Sequence, residues 1–325
     1  QTPNTMRLAE EEKVEESVPL SRFGTRDSSV SASSVDNNGT AAATAAGDPF
    51  AELHRLPAQM AFQAIAAVAF GYTGWYGPRV LAKLYHQSII QRAAPFQVTR
   101  AGDVILDSLH TQALVDPPTI PSSILMWTSI WIPLLIVSAT SWFGKHSSQT
   151  RRWYDLHSAA CGFISAVGLS EGCTQLLKLY MQRRRPNFYA LCGFDSVQKI
   201  CTAAPKQIVE ANFSFPSGHS SLSCCAMTFL VWFFLGKIMG KAGLTTDAKR
   251  ILGFVACTPW GWSIFVAASR VADQWHHPSD IVAGLVLGGF LSTVMYHFWY
   301  PPVWTTSAGI PWSFSNRPSI SGKLP

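Results

Sequence analysis

Charged side chains are scarce in this chain. Asp, Glu, Lys and Arg make up 14% of its 325 residues, whereas hydrophobic residues make up 48%. Soluble globular domains carry about a quarter of charged residues. Long apolar runs accompany the shortage of charge, so the composition favours a polytopic membrane protein over a soluble one.

Several chemical signatures are also missing from the sequence. The net charge of +6 is spread over loops instead of forming one basic face, which argues against a nucleic-acid-binding protein. There is no Gly-rich nucleotide loop, no pair of carboxylates at metal-ligand spacing and no zinc-type Cys/His spacing. We therefore predict neither a metal nor a cofactor.

The apolar runs predict an all-α bundle with six membrane spans. Each run is about 18 residues or longer, which is enough to cross a bilayer as a helix. The first run is the weakest, because Gly71 and Gly74 interrupt it, and it could instead be an interfacial or core helix. The predicted spans cover residues 57–76, 121–143, 156–179, 219–238, 251–268 and 281–299.

Composition divides the chain into three parts. Residues 1–48 contain an acidic run and a low-complexity tract with little to bury, which predicts a disordered N-terminal tail. Residues 49–300 contain the six spans and form the predicted membrane domain. Residues 301–325 are a predicted C-terminal tail, and the sequence leaves the oligomeric state open.

Basic residues in two short loops orient the predicted bundle. These residues are Lys145, Arg151 and Arg152 after the second span, and Lys237, Lys241, Lys249 and Arg250 after the fourth. Short basic loops stay in the cytoplasm, which places both termini there. The lumenal or extracellular face then receives the loops 77–120, 180–218 and 269–280. We expect an endomembrane (endoplasmic reticulum or Golgi) or the plasma membrane.

A polar segment, residues 269–280, joins the last two spans. Its Pro278 suits the first turn of a helix, so the carboxylate of Asp280 can reach back to one ring nitrogen of His276. The other nitrogen would then be free to act as a nucleophile. Arg270 adds a fixed fork of donors that suits an oxyanion. Polar residues also collect at helix ends because water is there, so this segment alone does not establish a catalytic site.

The loop 180–218 carries polar residues at both ends. Lys178 and Arg185 stand at its start, although a lysine at the end of a span also reaches the interface for its own solvation. Ser217 and Gly218 offer backbone N–H groups at a helix N-terminus, which suits an anion, and His219 follows them. On one face of the membrane, the polar clusters would supply the donors, nucleophile and acid that phosphoryl transfer needs.

These positions resemble the three-part signature of the type 2 phosphatidic acid phosphatase superfamily. Lys178 is followed after six residues by Arg185-Pro186, then come Pro216-Ser217-Gly218-His219, and finally Ser269-Arg270 with five residues to His276 and three more to Asp280. The match covers residues 178–280 and is most similar to the eukaryotic lipid phosphate phosphatases. The resemblance implies that His276 attacks phosphorus to form a phosphohistidine, that Asp280 orients it, and that His219 protonates the leaving alkoxide. It also implies that the phosphoryl oxygens are held by Lys178, Arg185, Ser217, Gly218 and Arg270.

The resemblance implies an integral lipid phosphate phosphatase that hydrolyses phosphate monoesters such as phosphatidic acid without a metal. Its partners would be the bilayer and the lipid substrate within it. The motifs read the phosphate and not the acyl chain, so they do not choose among lipid phosphates. A phosphotransferase of the sphingolipid synthase type and a polyprenyl diphosphate phosphatase remain alternatives. His277 is an alternative nucleophile, but the family spacing selects His276.

Five further residues lie outside these roles. Glu171, inside the third span, is a candidate for a functional role, but we expect a structural one in which it is protonated and hydrogen-bonded to a neighbouring helix. Asp273 could assist the site, but we expect it to be solvated. Cys192 and Cys201 share one polar loop and could form a disulfide if it faces an oxidising compartment. Asn212 begins a glycosylation sequon, but its closeness to the membrane predicts that it is unmodified.

Overall fold

The computed structural model describes residues 49–90, 93–145 and 149–315. The predicted N-terminal tail, residues 1–48, lies outside this part of the chain, as do residues 316–325. The helices are α1 (Pro49–Ile90), α2 (Ser122–Met126), α3 (Ile132–Phe143), α4 (Gln149–Met181), α5 (Phe188–Cys192), α6 (Pro205–Ala211), α7 (Gly218–Met239), α8 (Thr246–Ala256), α9 (Pro259–Ala272), α10 (Pro278–Trp299) and α11 (Trp312–Ser315).

Short elements connect these helices. A π-helical segment, Trp127–Trp131, joins α2 to α3, and a turn of 3-10 helix covers Ser108–His110. Four short strands form two antiparallel hairpins. The first pairs β1 (Phe96–Val98) with β2 (Val104–Leu106), and the second pairs β3 (Phe194–Asp195) with β4 (Ile200–Cys201).

Four helical segments in the described ranges are long and apolar enough to cross a bilayer. They are Ser122–Phe143, Gly218–Met239, Thr246–Ala272 and Pro278–Trp299, and they coincide with the predicted second, fourth, fifth and sixth spans. The chain is therefore mostly helical and an integral membrane protein. The predicted first and third spans lie in α1 and α4, which are not among these four, so six spans stay a prediction.

Helix α7 lies at the centre of the bundle and packs against α4, α9 and α10. An apolar surface on all sides is what a helix needs in this position. The ring of Phe229 on α7 meets the ring of Phe163 on α4 edge to face, with 5.5 Å between centroids. Phe233 and Tyr296 are also buried in this core.

Glycines bring α10 against the first turns of α7. A Cβ atom at Gly288 would lie 2.1 Å from the carbonyl oxygen of Ser221, and one at Gly284 would lie 2.7 Å from that of Ser217. Only a residue without a side chain allows backbones to approach so closely. The two helices therefore begin side by side, and the backbone N–H of Ser217 donates to the carbonyl of Asp280 at 3.0 Å.

The segment between α4 and α7 forms a small folded cap. A disulfide joins Cys192 to Cys201, with 5.2 Å between their Cα atoms. Phe188 and Ile208 lie in the hydrophobic cluster beneath it. Asn212 is 2% exposed and its amide donates to the carbonyl of Ile208 at 2.9 Å, so its sequon is closed in the folded protein.

At the other end of α7, the described part of the predicted C-terminal tail packs against the bundle. Lys237 donates to the carbonyl of Gly309 at 2.8 Å and forms an ion pair with Asp155 of α4. A Cβ atom at Gly240 would lie 1.9 Å from the carbonyl oxygen of Ala308. Residues 301–315 are thus a packed segment of the domain.

Candidate active site

The three predicted motifs meet where α7 and α10 begin. Lys178 lies in the last turn of α4, and Arg185 follows in the cap. Ser217 is the N-cap of α7, and Gly218 and His219 are its first helical residues. Arg270 lies in the last turn of α9, His276 between α9 and α10, and Asp280 in the first turn of α10. The structure therefore brings together all eight residues that the sequence proposed for catalysis and phosphate binding.

His276 is 3% exposed and faces a different partner with each ring nitrogen. Its Nε2 atom lies 3.2 Å from Nη1 of Arg185, and its Nδ1 atom lies 3.7 Å from Oδ2 of Asp280. Guanidinium groups only donate, so Nε2 must present its lone pair and Nδ1 must carry the proton. Burial, followed by the charge of Arg185, lowers the pKa of His276 to about 3. The imidazole is therefore neutral at physiological pH, as a nucleophile must be.

Asp280 is fully buried and accepts three hydrogen bonds. The donors are Nη1 of Arg183 at 2.7 Å, the hydroxyl of Ser214 at 2.5 Å and the backbone N–H of His277 at 3.0 Å. The predicted contact of Asp280 with His276 is longer than a hydrogen bond because the carboxylate also caps α10. The Ser214 hydroxyl connects the two side chains, since it donates to Asp280 and lies 3.5 Å from Nδ1 of His276.

Sequence reasoning did not find Arg183 and Ser214 as site residues. Arg183 lies two residues before Arg185, and Ser214 lies three residues before Ser217. Their closeness to the motifs in the sequence was the one signal that could have identified Arg183 and Ser214. It could not show which neighbours of a motif turn inward, because both residues lie in irregular segments with no periodicity to read.

Arg185 is held by the cap and by the loop before α10. It is 3% exposed, its Nε donates to the carbonyl of Glu210 at 2.8 Å, and its Nη1 donates to the carbonyl of Trp275 at 2.9 Å. Its Nη2 forms an ion pair with the Glu210 carboxylate. The guanidinium also lies 5.1 Å from the centroid of the Trp275 ring, a cation–π contact. Glu210 is another site neighbour that the motifs did not indicate.

Arg270 is neutralised by a buried carboxylate. It is 2% exposed, and its Nη2 lies 2.8 Å from Oδ2 of Asp273, which is 4% exposed. The backbone N–H and the hydroxyl of Thr119 donate to the same carboxylate at 2.8 and 2.7 Å. The expectation that Asp273 is solvated was wrong, because a buried guanidinium requires a counter-ion beside it.

Lys178 and His219 carry side-chain nitrogens that have no bonded partner among the described residues. Lys178 is 9% exposed and forms no salt bridge with any described residue. A Cβ atom at Gly218 would lie 3.5 Å from the Nζ atom of Lys178, so the ammonium group stands beside the first turn of α7. The Nε2 atom of His219 is buried without a hydrogen-bond partner in the described part of the chain. A buried polar atom without a partner, such as Nε2 of His219, is costly, and a bound oxyanion could pair with both nitrogens.

His219 lies in the same cluster of charged and polar groups as the other site residues. It interacts electrostatically with Arg270, His276, Lys178 and Arg185. His277, the alternative nucleophile, is engaged elsewhere, since its Nε2 atom lies 3.2 Å from the carbonyl oxygen of Arg184. The site therefore combines a neutral histidine, a second histidine and three cations.

Two further predictions concern Glu171 and metal ligands. Glu171 is 5% exposed and contacts the neighbouring helix α1, as expected, but its partner there is the guanidinium of Arg79 at 2.6 Å, so the contact is an ion pair. Among the described residues, no three His, Cys, Asp or Glu side chains form a group that could hold a metal ion.

Comparison with known proteins places the chain in a family. The sequence profile of the PAP2 superfamily matches residues 159–304, which contain all eight residues predicted for catalysis and phosphate binding. A PA-phosphatase related-family protein of Dictyostelium discoideum is 31% identical over 204 residues, which are 63% of this chain and 71% of that protein. This chain belongs to the PAP2 superfamily. The membership confirms the resemblance that the motifs indicated.

Other PAP2 relatives carry lipid phosphatase names. Probable lipid phosphate phosphatase 4 of Arabidopsis thaliana is 33% identical over 57% of this chain and 61% of its own length. Lipid phosphate phosphatase 1 of the same plant is 34% identical over 46% of each chain. Phospholipid phosphatase 2 of Homo sapiens is 27% identical over 55% of this chain and 67% of its own. The match therefore spans less than two thirds of these Arabidopsis proteins, and no solved structure matches the chain.

Proposed function

We propose that this PAP2 protein is an integral membrane lipid phosphate phosphatase, which hydrolyses phosphate monoesters such as phosphatidic acid to diacylglycerol and phosphate. One observation carries the proposal. The Nε2 atom of the neutral, buried His276 faces Nη1 of Arg185, and the ammonium group of Lys178 in the same cluster forms no salt bridge with a described residue. A nucleophile beside unmet positive charge is suited to a phosphate. The names of the PAP2 relatives support the same activity.

The first chemical step forms a phosphohistidine. Nε2 of His276 attacks phosphorus while the bond to the lipid oxygen breaks, and His219 gives that oxygen its proton. The Nδ1 proton stays on the ring, where Asp280 stabilises the positive charge that develops. The phosphoryl oxygens are held by Lys178, Arg185, Arg270, the hydroxyl of Ser217 and the backbone N–H of Gly218.

The second step returns the enzyme to its starting state. His219 takes a proton from water, which attacks the phosphohistidine and releases inorganic phosphate. Lys178, Arg185 and Arg270 supply the charge that a metal provides in other phosphoryl-transfer enzymes, so we propose a metal-independent reaction.

The setting of the pocket suits a lipid substrate. It lies at the ends of apolar helices, so a phosphate headgroup could enter while the acyl chains remain in the bilayer. We propose that this end faces the lumen of an endomembrane compartment or the cell exterior, because the basic loops after the second and fourth predicted spans lie at the other end.

Phosphate release from a panel of lipid phosphates by the purified protein tests the proposal. We expect release in the presence of EDTA, and we expect His276→Ala to reduce it about a thousandfold or more because the nucleophile is lost. His277→Ala is the matched control and should retain activity. A phosphohistidine would be detected as an acid-labile radioactive phosphate on the wild-type protein, after reaction with a lipid labelled in its phosphate group and rapid quenching.

Several results would contradict the proposal. An active His276→Ala variant would remove the assigned nucleophile, and loss of activity in EDTA would remove the metal-independent mechanism. Transfer of the headgroup to a second lipid would indicate a phosphotransferase of the sphingolipid synthase type. Activity confined to isoprenoid diphosphates would indicate a polyprenyl diphosphate phosphatase.

A further inference from the structure

The proposed phosphate pocket already contains an anion of the chain itself, the carboxylate of Glu210. Helix α6 places it beside Arg185, and its ion pair with Nη2 of Arg185 occupies a donor that a phosphate would need. Glu210 also interacts electrostatically with Lys178, His276 and His219. Desolvation would raise the pKa of Glu210, but the charges of Arg185 and Lys178 outweigh it and hold that pKa below its usual value. The side chain is therefore an anion.

The counter-ions of Arg270 and Arg185 are held very differently. Asp273 is 4% exposed, and Thr119 fixes its carboxylate with two hydrogen bonds, so the counter-ion of Arg270 is locked in place. The side chain of Glu210 is 48% exposed. Among the described residues, its carboxylate has a single bonded partner, Arg185. Glu210 can therefore swing into water, whereas Asp273 cannot leave without exposing a buried ion pair.

We propose that Glu210 is a displaceable counter-anion, which rests on Arg185 in the free protein and gives way to the substrate phosphate. The inference rests on the proposed function, because it assigns the pocket to a phosphate. With no anion present, Lys178 and Arg185 would repel each other in a poorly solvated space. The Glu210 carboxylate relieves that repulsion before binding. After the reaction, it competes with inorganic phosphate and so favours release of the product.

Glu210→Gln tests the proposal, because it keeps the size of the side chain and removes its charge. We expect the Kd for inorganic phosphate, measured by calorimetry on the purified protein, to fall roughly three- to tenfold. The KM for a lipid phosphate should fall with it. If Glu210 merely positions Arg185, the same change should raise both constants. Glu210→Ala should shift them in the same direction as Glu210→Gln.

Asp103→Asn provides the control for a general change of charge. Asp103 lies in the β1–β2 hairpin and pairs with Thr99, far along the chain from Arg185. We expect no change in its phosphate affinity. A wild-type protein that neither binds phosphate nor hydrolyses lipid phosphates would overturn the proposed function. A wild-type protein that does both, with Glu210 variants that bind phosphate no more tightly, would overturn the displacement alone.

Discussion

Among single residues, His276 has two polar neighbours at its Nδ1 atom, the Asp280 carboxylate and the Ser214 hydroxyl. The sequence predicted a direct contact between His276 and Asp280, but the Ser214 hydroxyl shares the carboxylate oxygen that faces the ring. Ser214 therefore helps to fix both the position of Asp280 and the side of the ring that carries the proton. A histidine whose proton lies on Nδ1 keeps Nε2 available for attack.

Ser214→Ala should lower kcat about tenfold or more and leave KM nearly unchanged. The substitution removes a bond to Asp280 but touches none of the phosphate-binding residues, so the loss falls on the chemical step. Steady-state kinetics on one lipid phosphate would measure it. Ser223→Ala is the control, since Ser223 is also buried but bonds Ser220 and Ser263 inside the bundle. An unchanged kcat in Ser214→Ala would show that Ser214 does not position the site.

The sequence identified the residues proposed to contact phosphate but not their counter-ions. His219, His276 and Arg270 stand at fixed spacings, because each is tied to the end of a helix. Glu210 pairs with Arg185 across 25 positions, and that separation carries no periodic signal. Asp273 was misread for a different reason. At a helix end the sequence cannot distinguish a solvated carboxylate from a buried one, because burial there depends on the loop that carries Thr119.

At the scale of elements, the close contact between α7 and α10 sets the geometry of the site. Gly284 and Gly288 lie one turn apart on α10 and face the first turns of α7. That contact fixes where Asp280 and His276 stand relative to Gly218 and His219. Because both helices are apolar on all sides, their hydrophobicity predicted that they exist but not which faces meet.

Gly288→Ala should destabilise the protein by about 1–3 kcal/mol and reduce its activity. The new Cβ atom would lie 2.1 Å from the carbonyl oxygen of Ser221, so α10 must shift away from α7. Gly289→Ala is a neighbouring control on the same helix. Its Cβ would meet the sulfur of Cys224 at 3.5 Å, an ordinary contact. Thermal inactivation in detergent and phosphate release would compare the two, and equal losses would contradict this account.

Apolar runs predicted four spans well, while α1 and α4 show the limit of that signal. Helix α4 carries Asp155, Glu171 and Lys178, so its composition resembles that of a soluble helix. The structure pairs Asp155 with Lys237 and Glu171 with Arg79, both on other helices. Because these charges are neutralised by partners distant in the chain, hydropathy alone does not decide whether α4 crosses the membrane.

At the scale of the whole molecule, α7 separates two ends with different contents. The end at Gly218 carries the candidate site and the disulfide-linked cap, and the end at Met239 carries the ion pair of Lys237 and the packed segment 301–315. A helix of 22 residues is about 33 Å long, which matches the hydrocarbon thickness of a bilayer. The two ends should therefore face opposite compartments whether or not α1 and α4 cross the membrane.

Single cysteines placed at Val197 and Lys241 would test this arrangement in sealed microsomes, whose cytoplasmic face is outward. Val197 is 87% exposed in the β3–β4 hairpin, and Lys241 is exposed just after α7. A membrane-impermeant maleimide should label Lys241→Cys at once and Val197→Cys only after permeabilisation. Labelling of the unsubstituted protein corrects for its own cysteines. The reverse pattern would place the candidate site in the cytoplasm, and immediate labelling of both variants would mean that α7 does not span the bilayer.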